Sequence, residues 1–291
     1  MSVPLAEPAA KAARNGWKVS EPPPPHDVPL PQSDTIRRVV ANNPGPMTGN
    51  GTNSWLVEHP GGCVVIDPGS NDPAHLDALA AAAGSQPVTH IILTHTHHDH
   101  LDGARPLGAR LGVPVCGFHA SAEPEFTPDI GLRDGDRIAG LRVLYTPGHA
   151  SDHICLETPD GIILTGDHVM GWSTTMIPPA PYGSVRQFLH SMALLRERHA
   201  RLLLPAHGPA ITRVEECIDG LVAHRQAREE SILALMPASP RTLDEIVDGM
   251  YHNLRPGLRR AALLNLQAHL EKLVEDAKVT RQGDLWMKTI P

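Results

Sequence analysis

The sequence predicts an α+β fold with a smaller helix–helix–hairpin module at its C-terminal end. From Thr35 onward, short runs rich in Val, Ile and Leu alternate with helical stretches. Several of these runs stop at loops that carry His, Asp and Gly. After Pro237-Ala238-Ser239-Pro240 the pattern changes to two helices and a turn signature. These changes divide the chain into an arm at 1–34, a main catalytic domain at 35–236 and a winged-helix-like domain at 237–291.

The arm contains Pro22, Pro23, Pro24, Pro25, Pro29 and Pro31, which predicts extended, polyproline-like chain. It reads as a simple extended lead-in in preference to a docking arm for a partner. Strands are expected at 36–41, 53–58 and 63–66, the last ending at Asp67-Pro68-Gly69-Ser70. A helix at 73–83 and a buried strand at 88–93 follow, then a helix at 102–111 in which Pro106 is a point of shortening or kinking. His119 ends a further short strand. Strands at 141–145, 154–157, 162–164 and 202–204 flank a helix at 184–199, with Val185, Phe188, Leu189, Met192 and Leu195 on one face. A long polar helix covers 214–235. In the module, Leu243, Ile246, Val247, Met250 and Tyr251 share one helix. Leu263, Leu266, Leu270 and Leu273 share another, and Gln282-Gly283-Asp284 marks a hairpin.

The 291 residues carry a formal charge of −7, which argues against general electrostatic binding of nucleic acid. The four cysteines, Cys63, Cys116, Cys155 and Cys217, form no CxxC pair and read as reduced structural thiols. No secretory signal pattern and no membrane-length apolar window occurs, so a cytoplasmic location is expected. The eighteen histidines carry the functional signal.

The segment Thr94-His95-Thr96-His97-His98-Asp99-His100 has the pattern H-x-H-x-D-H. Imidazole nitrogen and carboxylate oxygen together suit Zn²⁺, and Mn²⁺ or Fe also fits an N/O site. In a tight loop, His95 and His97 can face one metal while Asp99 and His100 face a second, ~3.5–4 Å away. His98 points elsewhere by its spacing. His149, Asp167 and His207, each just after a predicted strand, complete the set. His95, His97 and His149 are assigned to metal one, and Asp99, His100 and His207 to metal two. Asp167 bridges. Two Zn²⁺ ions there would share a hydroxide and make it a nucleophile near neutral pH, with Asp99 orienting it. Asp67 is expected to receive the outer N–H of a ligand imidazole, and His153 either orients a ligand or is structural. Trp172, Thr174, Thr175 and Tyr182 lie between Asp167 and the next helix and are expected to line the substrate pocket.

At these residues the sequence resembles the metallo-β-lactamase superfamily over roughly 36–224, which implies an αββα sandwich with the metals at one edge. Asn43-Pro44-Gly45-Pro46 followed by Gly51-Thr52-Asn53, the segments 148–153 and 206–211, and the appended module look like the beta-lactamase-like protein 2 subgroup. That subgroup includes single-strand endoribonucleases, and related fungal proteins act as thioesterases. A bridging Asp167 departs from the secreted three-histidine lactamases and leaves only promiscuous β-lactamase activity. The leading expectation is a hydrolase of a small-molecule ester, thioester or lactone. The first alternative is a single-strand endoribonuclease, favoured by the subgroup resemblance. From Arg241 on, however, eight Lys and Arg stand against seven Asp and Glu, which makes the module a poor electrostatic grip on RNA. It reads instead as a packing or dimerisation lid, and with the arm it is compatible with a homodimer. A mono-iron persulfide dioxygenase shares much of the ligand set but neither the module nor the opening loop.

Overall fold

Alternation of side chains along the strands sorts the core of this protein into layers. The computed structural model describes residues 16–236, 239–251 and 258–289. Strands β1 (Leu30–Pro31), β2 (Ile36–Val40), β3 (Asn53–His59) and β4 (Gly62–Ile66) precede helix α1 (Pro73–Ala82). Strand β5 (Val88–Ile92) leads through α2 (His98–Leu101) and α3 (Ala104–Leu111) to β6 (Val115–Phe118) and β7 (Ile130–Leu132). Then come β8 (Arg137–Ile138), β9 (Leu141–Tyr145), β10 (Ile154–Glu157), β11 (Ile162–Gly166), α4 (Val185–Glu197), β12 (Leu202–Pro205) and α5 (Val214–Leu235). The module holds β13 (Arg241–Thr242), α6 (Leu243–Met250), α7 (Arg259–Glu275), β14 (Val279–Gln282) and β15 (Leu285–Lys288).

Strands β1 to β7 form a seven-stranded sheet in sequence order, and a five-stranded sheet runs β12-β11-β10-β9-β8. Because strand side chains alternate between faces, Trp55, Val57, Val64 and Ile66 of the first sheet meet Leu141, Val143, Ile154 and Leu164 of the second in one buried layer. The opposite face of the first sheet, with Leu56, Val65 and Ile91, packs on Leu76 and Leu79 of α1 and Leu107 of α3. The outer face of the second, with Leu144, Cys155 and Ile163, packs on Phe188, Met192 and Leu195 of α4 and Ile218 and Leu221 of α5. The result is the expected αββα sandwich. All four cysteines are buried and unpaired.

Three expectations need correction. The ligand segment is not wholly a loop, because α2 begins at His98 and carries Asp99 and His100 on a single helical turn. Pro106 neither shortens nor kinks α3. It sits in the first turn, where no N–H partner is required, and the helix runs to a left-handed Gly112 cap. The proline-rich arm is not a free lead-in over its described part, 16–34. Trp17 is buried against α4 and α5. A Cβ on Gly220 would come within 2.2 Å of the Trp17 ring, so α5 is glycine where the indole docks. Val19 N donates to Gly171 O at 2.9 Å, and Glu21 pairs with buried Arg38 at 2.9 Å. The remainder of the arm, 1–15, lies outside the described residues. Strands β7 and β8 are too short to show a period and escape sequence reading.

The C-terminal module has its own core of Ile246, Val247, Leu266, Leu270, Leu273, Val279 and Trp286, joined by Ile232 and Met236 at the end of α5. A capping box between Thr242 and Glu245 starts α6. The module lies on the catalytic domain: Arg186 pairs with Glu275 and Asp276, and Ala180 N donates to Glu271 at 3.1 Å. Among the described residues no helix is long and apolar enough to cross a membrane.

Two measurements follow from this packing. Trp17→Ala is expected to cost about 3–5 kcal/mol of stability, read from denaturant midpoints, although Trp17 lies outside both sheets. The second concerns His269 of α7, which is fully buried beside Glu229. Burial pushes this imidazole down to about 4, against the pull of Glu229, while the unfolded chain keeps the ordinary 6.5. Below 6.5 the unfolded state therefore binds the extra proton. His269 should therefore contribute a loss of stability of about 1.4 kcal/mol per unit as the pH drops from 6.5 toward 4. His269→Gln should reduce the measured slope by about that amount.

Candidate metal centre

The sheet directions bring the ligand loops together. Strands β9 and β11 both run antiparallel to β10, and β12 runs parallel to β11, so all three deliver their C-terminal ends to one edge. Those ends carry His149, Asp167 and His207, and the loop after β5 delivers His95 and His97 to the same place. Two glycines permit the close approach. A Cβ on Gly166, at φ +48°, would lie 2.6 Å from His153 Nε2 and 2.7 Å from Thr94 Oγ1. A Cβ on Gly148, at φ +145°, would lie 2.4 Å from the Phe188 backbone. At the junction of the two sheets, Asn53 Nδ2 donates to Pro205 O and Gly208 O, each at 2.8 Å, and holds the loop that carries His207.

Ligand atoms of His95, His97, His149 and Asp167 all lie within 4.8 Å of one another, and so do those of Asp99, His100 and His207. His97 Nδ1 is 2.9 Å from His95 Nε2 and 3.0 Å from His149 Nε2. His207 Nε2 is 3.1 Å from Asp99 Oδ2 and 3.2 Å from Asp167 Oδ1. Asp167 faces both groups, with Oδ2 3.5 Å from His149 Nε2 and Oδ1 3.6 Å from His100 Nε2. His100 Nε2 and Asp167 Oδ1 are buried with no hydrogen-bond partner among the described residues. Lone pairs aimed at one another and orphaned buried polar atoms are costly unless a cation lies between them. The donor set therefore fits a metal site.

The outward nitrogens are held in place, which fixes the inward ones. His149 Nδ1 lies 2.7 Å from Met176 O, His207 Nδ1 3.2 Å from Gly51 O and His95 Nδ1 3.1 Å from Thr94 Oγ1. His100 Nδ1 faces Asp67 Oδ2 at 3.0 Å, an ion-pair contact without hydrogen-bond geometry. Asp67 is itself clamped: Thr94 N and Thr94 Oγ1 donate to its two oxygens at 2.8 and 2.7 Å. A buried chain extends the support outward. Ser54 Oγ donates to Asp67 O at 2.6 Å and contacts His75 Nε2 at 2.9 Å, and His75 Nδ1 meets Asp27 Oδ1 of the arm at 2.7 Å.

Electrostatics divides the ligands. Burial and then repulsion from His149 push His97 down to about 3. Burial likewise lowers His95 and His149, so three imidazoles present free lone pairs at neutral pH. At the other group the carboxylates win. Burial lowers His207, but Asp167 and Asp99 raise it to about 9. Burial raises Asp99, but His100 and His207 hold it at about 2. The field that draws a proton onto His207 equally draws a metal cation into that space.

Thus the seven ligand candidates converge. Exposed His98 turns away and pairs with Asp102 at 3.1 Å. Asp67 sits behind His100 as expected. His153 is buried against the His95 ring, and its Nδ1 is held by Thr146 Oγ1 at 2.9 Å. Thr174 and Thr175 line a cavity beside the centre, and Thr175 Oγ1 donates to Asp167 O at 2.6 Å. Trp172 and Tyr182 are not among that cavity's described lining residues. Trp172 instead stacks under Gly49 and Gly208, where added Cβ atoms would meet its ring, and Tyr182 is exposed. Sequence reading missed Thr94, Ser54, His75, Asp27 and Asp152. Asp152 Oδ2 accepts from Thr96 Oγ1 at 2.5 Å and so locks the ligand segment. Their common signal is only a polar residue inside or beside an apolar run.

With this geometry established, the class of the chain follows. Residues 47–207 match the metallo-beta-lactamase superfamily, and the chain belongs to that superfamily of hydrolytic enzymes. Residues 242–286 match the beta-lactamase associated winged helix domain. The chain is similar to the beta-lactamase-like protein 2 homolog of Caenorhabditis elegans, 26% identical over 260 residues that cover 85% of this chain and 86% of that protein. A metallo-beta-lactamase family protein from Thermus thermophilus is 26% identical with TM-score 0.75, over 89% of this chain and all of that one. TTHA1623, solved in a di-iron-bound form, is 28% identical with TM-score 0.52, over 62% of this chain and 96% of that one.

Removing the carboxylate behind His100 tests the support network. Asp67→Ala should lower affinity for a divalent metal ion about 10–100-fold in competition with a chromogenic chelator. Asp27→Asn, at the far end of the chain, should have a smaller effect.

Proposed function

We propose that this chain is a dinuclear, zinc-dependent hydrolase of a small-molecule ester, thioester or lactone. The observation that carries the reading is Asp167, which turns one oxygen toward each of the two ligand groups. A metal pair at these residues supplies a nucleophilic water at neutral pH and polarises the attacked carbonyl. His95, His97 and His149 would hold one ion, Asp99, His100 and His207 the other, with Asp167 shared. The Asp99 carboxylate is 29% exposed and can accept and return a proton at the reacting face. Asp67, Met176 O and Gly51 O keep the imidazoles oriented through turnover. Zinc suits the N/O donor set best, and iron or manganese also fits it.

A single-strand phosphodiesterase is the second reading, favoured by the winged-helix match. Against it, three of the winged-helix cations are engaged by acidic groups within the chain: Arg241 with Glu245, Arg259 with Asp244 and Asp248, and Lys272 with Glu229 and Asp276.

The test pairs metal analysis with turnover of a chromogenic thioester, a lactone, a β-lactam and labelled single-stranded RNA. About two zinc ions per chain with acyl cleavage alone supports the first reading. RNA cleavage alone replaces it with the second, and one iron per chain points to dioxygenase chemistry. Asp167→Ala should lose the metal pair and reduce turnover by about 10³-fold or more, with circular dichroism unchanged. Retention of both metal and activity would sink the shared-ligand assignment.

A further inference from the structure

Beside the metal centre lies a cleft of about 310 Å³, walled on one side by the catalytic domain and on the other by the winged-helix domain. Met47, Met170 and Met176 come from the first, and Tyr251, Leu258 and Ala262 from the second. None of its described lining residues is charged, and the polar ones are Ser, Thr and Asn. Met47 is 51% exposed and Leu258 39% exposed. Apolar side chains of the two domains thus face one another across the cleft, and methionine adapts its shape to varied apolar ligands.

The cleft adjoins the ligand shell at the outward side of His149. Met176 O accepts from His149 Nδ1 at 2.7 Å, and Thr175 Oγ1 is 3.2 Å from the same nitrogen. This wall is also fixed from behind, because buried Arg225 of α5 donates to Thr175 O and lies over the Phe188 ring. The volume is at the lower end of small-ligand sites, roughly 300–1,000 Å³.

We propose that this cleft is an acyl-chain subsite, which takes the uncharged apolar chain of the ester or thioester cleaved at the metal centre. The inference rests on the hydrolase reading above and names its substrate class. An RNA strand would bring a phosphate charge with every nucleotide, and the described walls offer no cation to meet it. An apolar chain gains from burial against the methionines and Leu258. The winged-helix domain thereby acts as a specificity wall.

The test uses the full-length, metal-loaded protein with acetyl, butyryl, hexanoyl and octanoyl thioesters. In the wild type, kcat/KM should rise about fourfold per added methylene until the cleft is full. Ala261→Phe narrows the cleft and Met47→Asp places a charge in it. Each should lower the octanoyl-to-acetyl ratio of kcat/KM about fifteenfold, the loss of roughly two methylenes of burial, whereas Ala261→Ser should retain it. Calorimetric titration with decanol gives a readout independent of turnover, and Met47→Asp should weaken that binding about fifteenfold as well. Thioester turnover with no dependence on chain length overturns the subsite and leaves the hydrolase standing. Failure to cleave any ester, with decanol binding still sensitive to Met47→Asp, overturns the hydrolase reading and leaves an apolar site. RNA cleavage inhibited competitively by decanol overturns the acyl assignment.

Discussion

Five imidazoles and two carboxylates share a space in which each group of ligand atoms spans no more than 4.8 Å. Five of these seven side chains are buried, and His97 and Asp99 are half-buried. Such a cluster is unfavourable by itself: desolvation strips the charged forms of water, and neutral imidazoles turn lone pairs on one another. It persists only where a scaffold holds every member and a cation compensates the lone pairs. Much of the architecture reads as a response to that constraint. The two sheets place strand ends at one edge, glycines stand where loops crowd, and backbone carbonyls or a carboxylate take the outward nitrogens.

The support reaches further than the ligands themselves. Asp67 adopts a left-handed backbone, φ 49°, an uncommon state for a residue other than glycine. That conformation sets its carboxylate between Thr94 and His100 and its carbonyl on Ser54. Through His75 the chain of contacts ends at Asp27, in a proline-rich segment whose composition alone suggests loose chain. The arm therefore supports the metal centre in addition to covering the helices through Trp17.

The winged-helix domain is joined to the catalytic domain in two ways. Its apolar core continues into the last turns of α5, and its long helix rests on α4 through Arg186 and its acidic partners. The domain supplies the acids of that contact, while its own Arg259 and Lys272 pair with acidic groups within the chain. Its position also places Tyr251 and Leu258 opposite the methionines of the catalytic domain.

The local sequence by itself determined the candidate ligand inventory. His95, His97, Asp99 and His100 are neighbours in the chain, and His149, Asp167 and His207 each follow an apolar strand, so strand periodicity exposes them. It also determined the layers, since alternation along β3 and β4 already separates Trp55 and Val57 from Leu56. Only the tertiary structure decided which atoms meet. The Asp27–His75–Ser54–Asp67 chain joins residues up to 48 positions apart, and of these only Asp67, at a strand end, stands out in sequence. The docking of Trp17 on a glycine of α5, the turning of Trp172 under two loops and the cleft between domains are likewise long-range contacts. Spacing along a chain reports which face a residue takes, but the partner on that face is chosen by packing between segments distant in sequence.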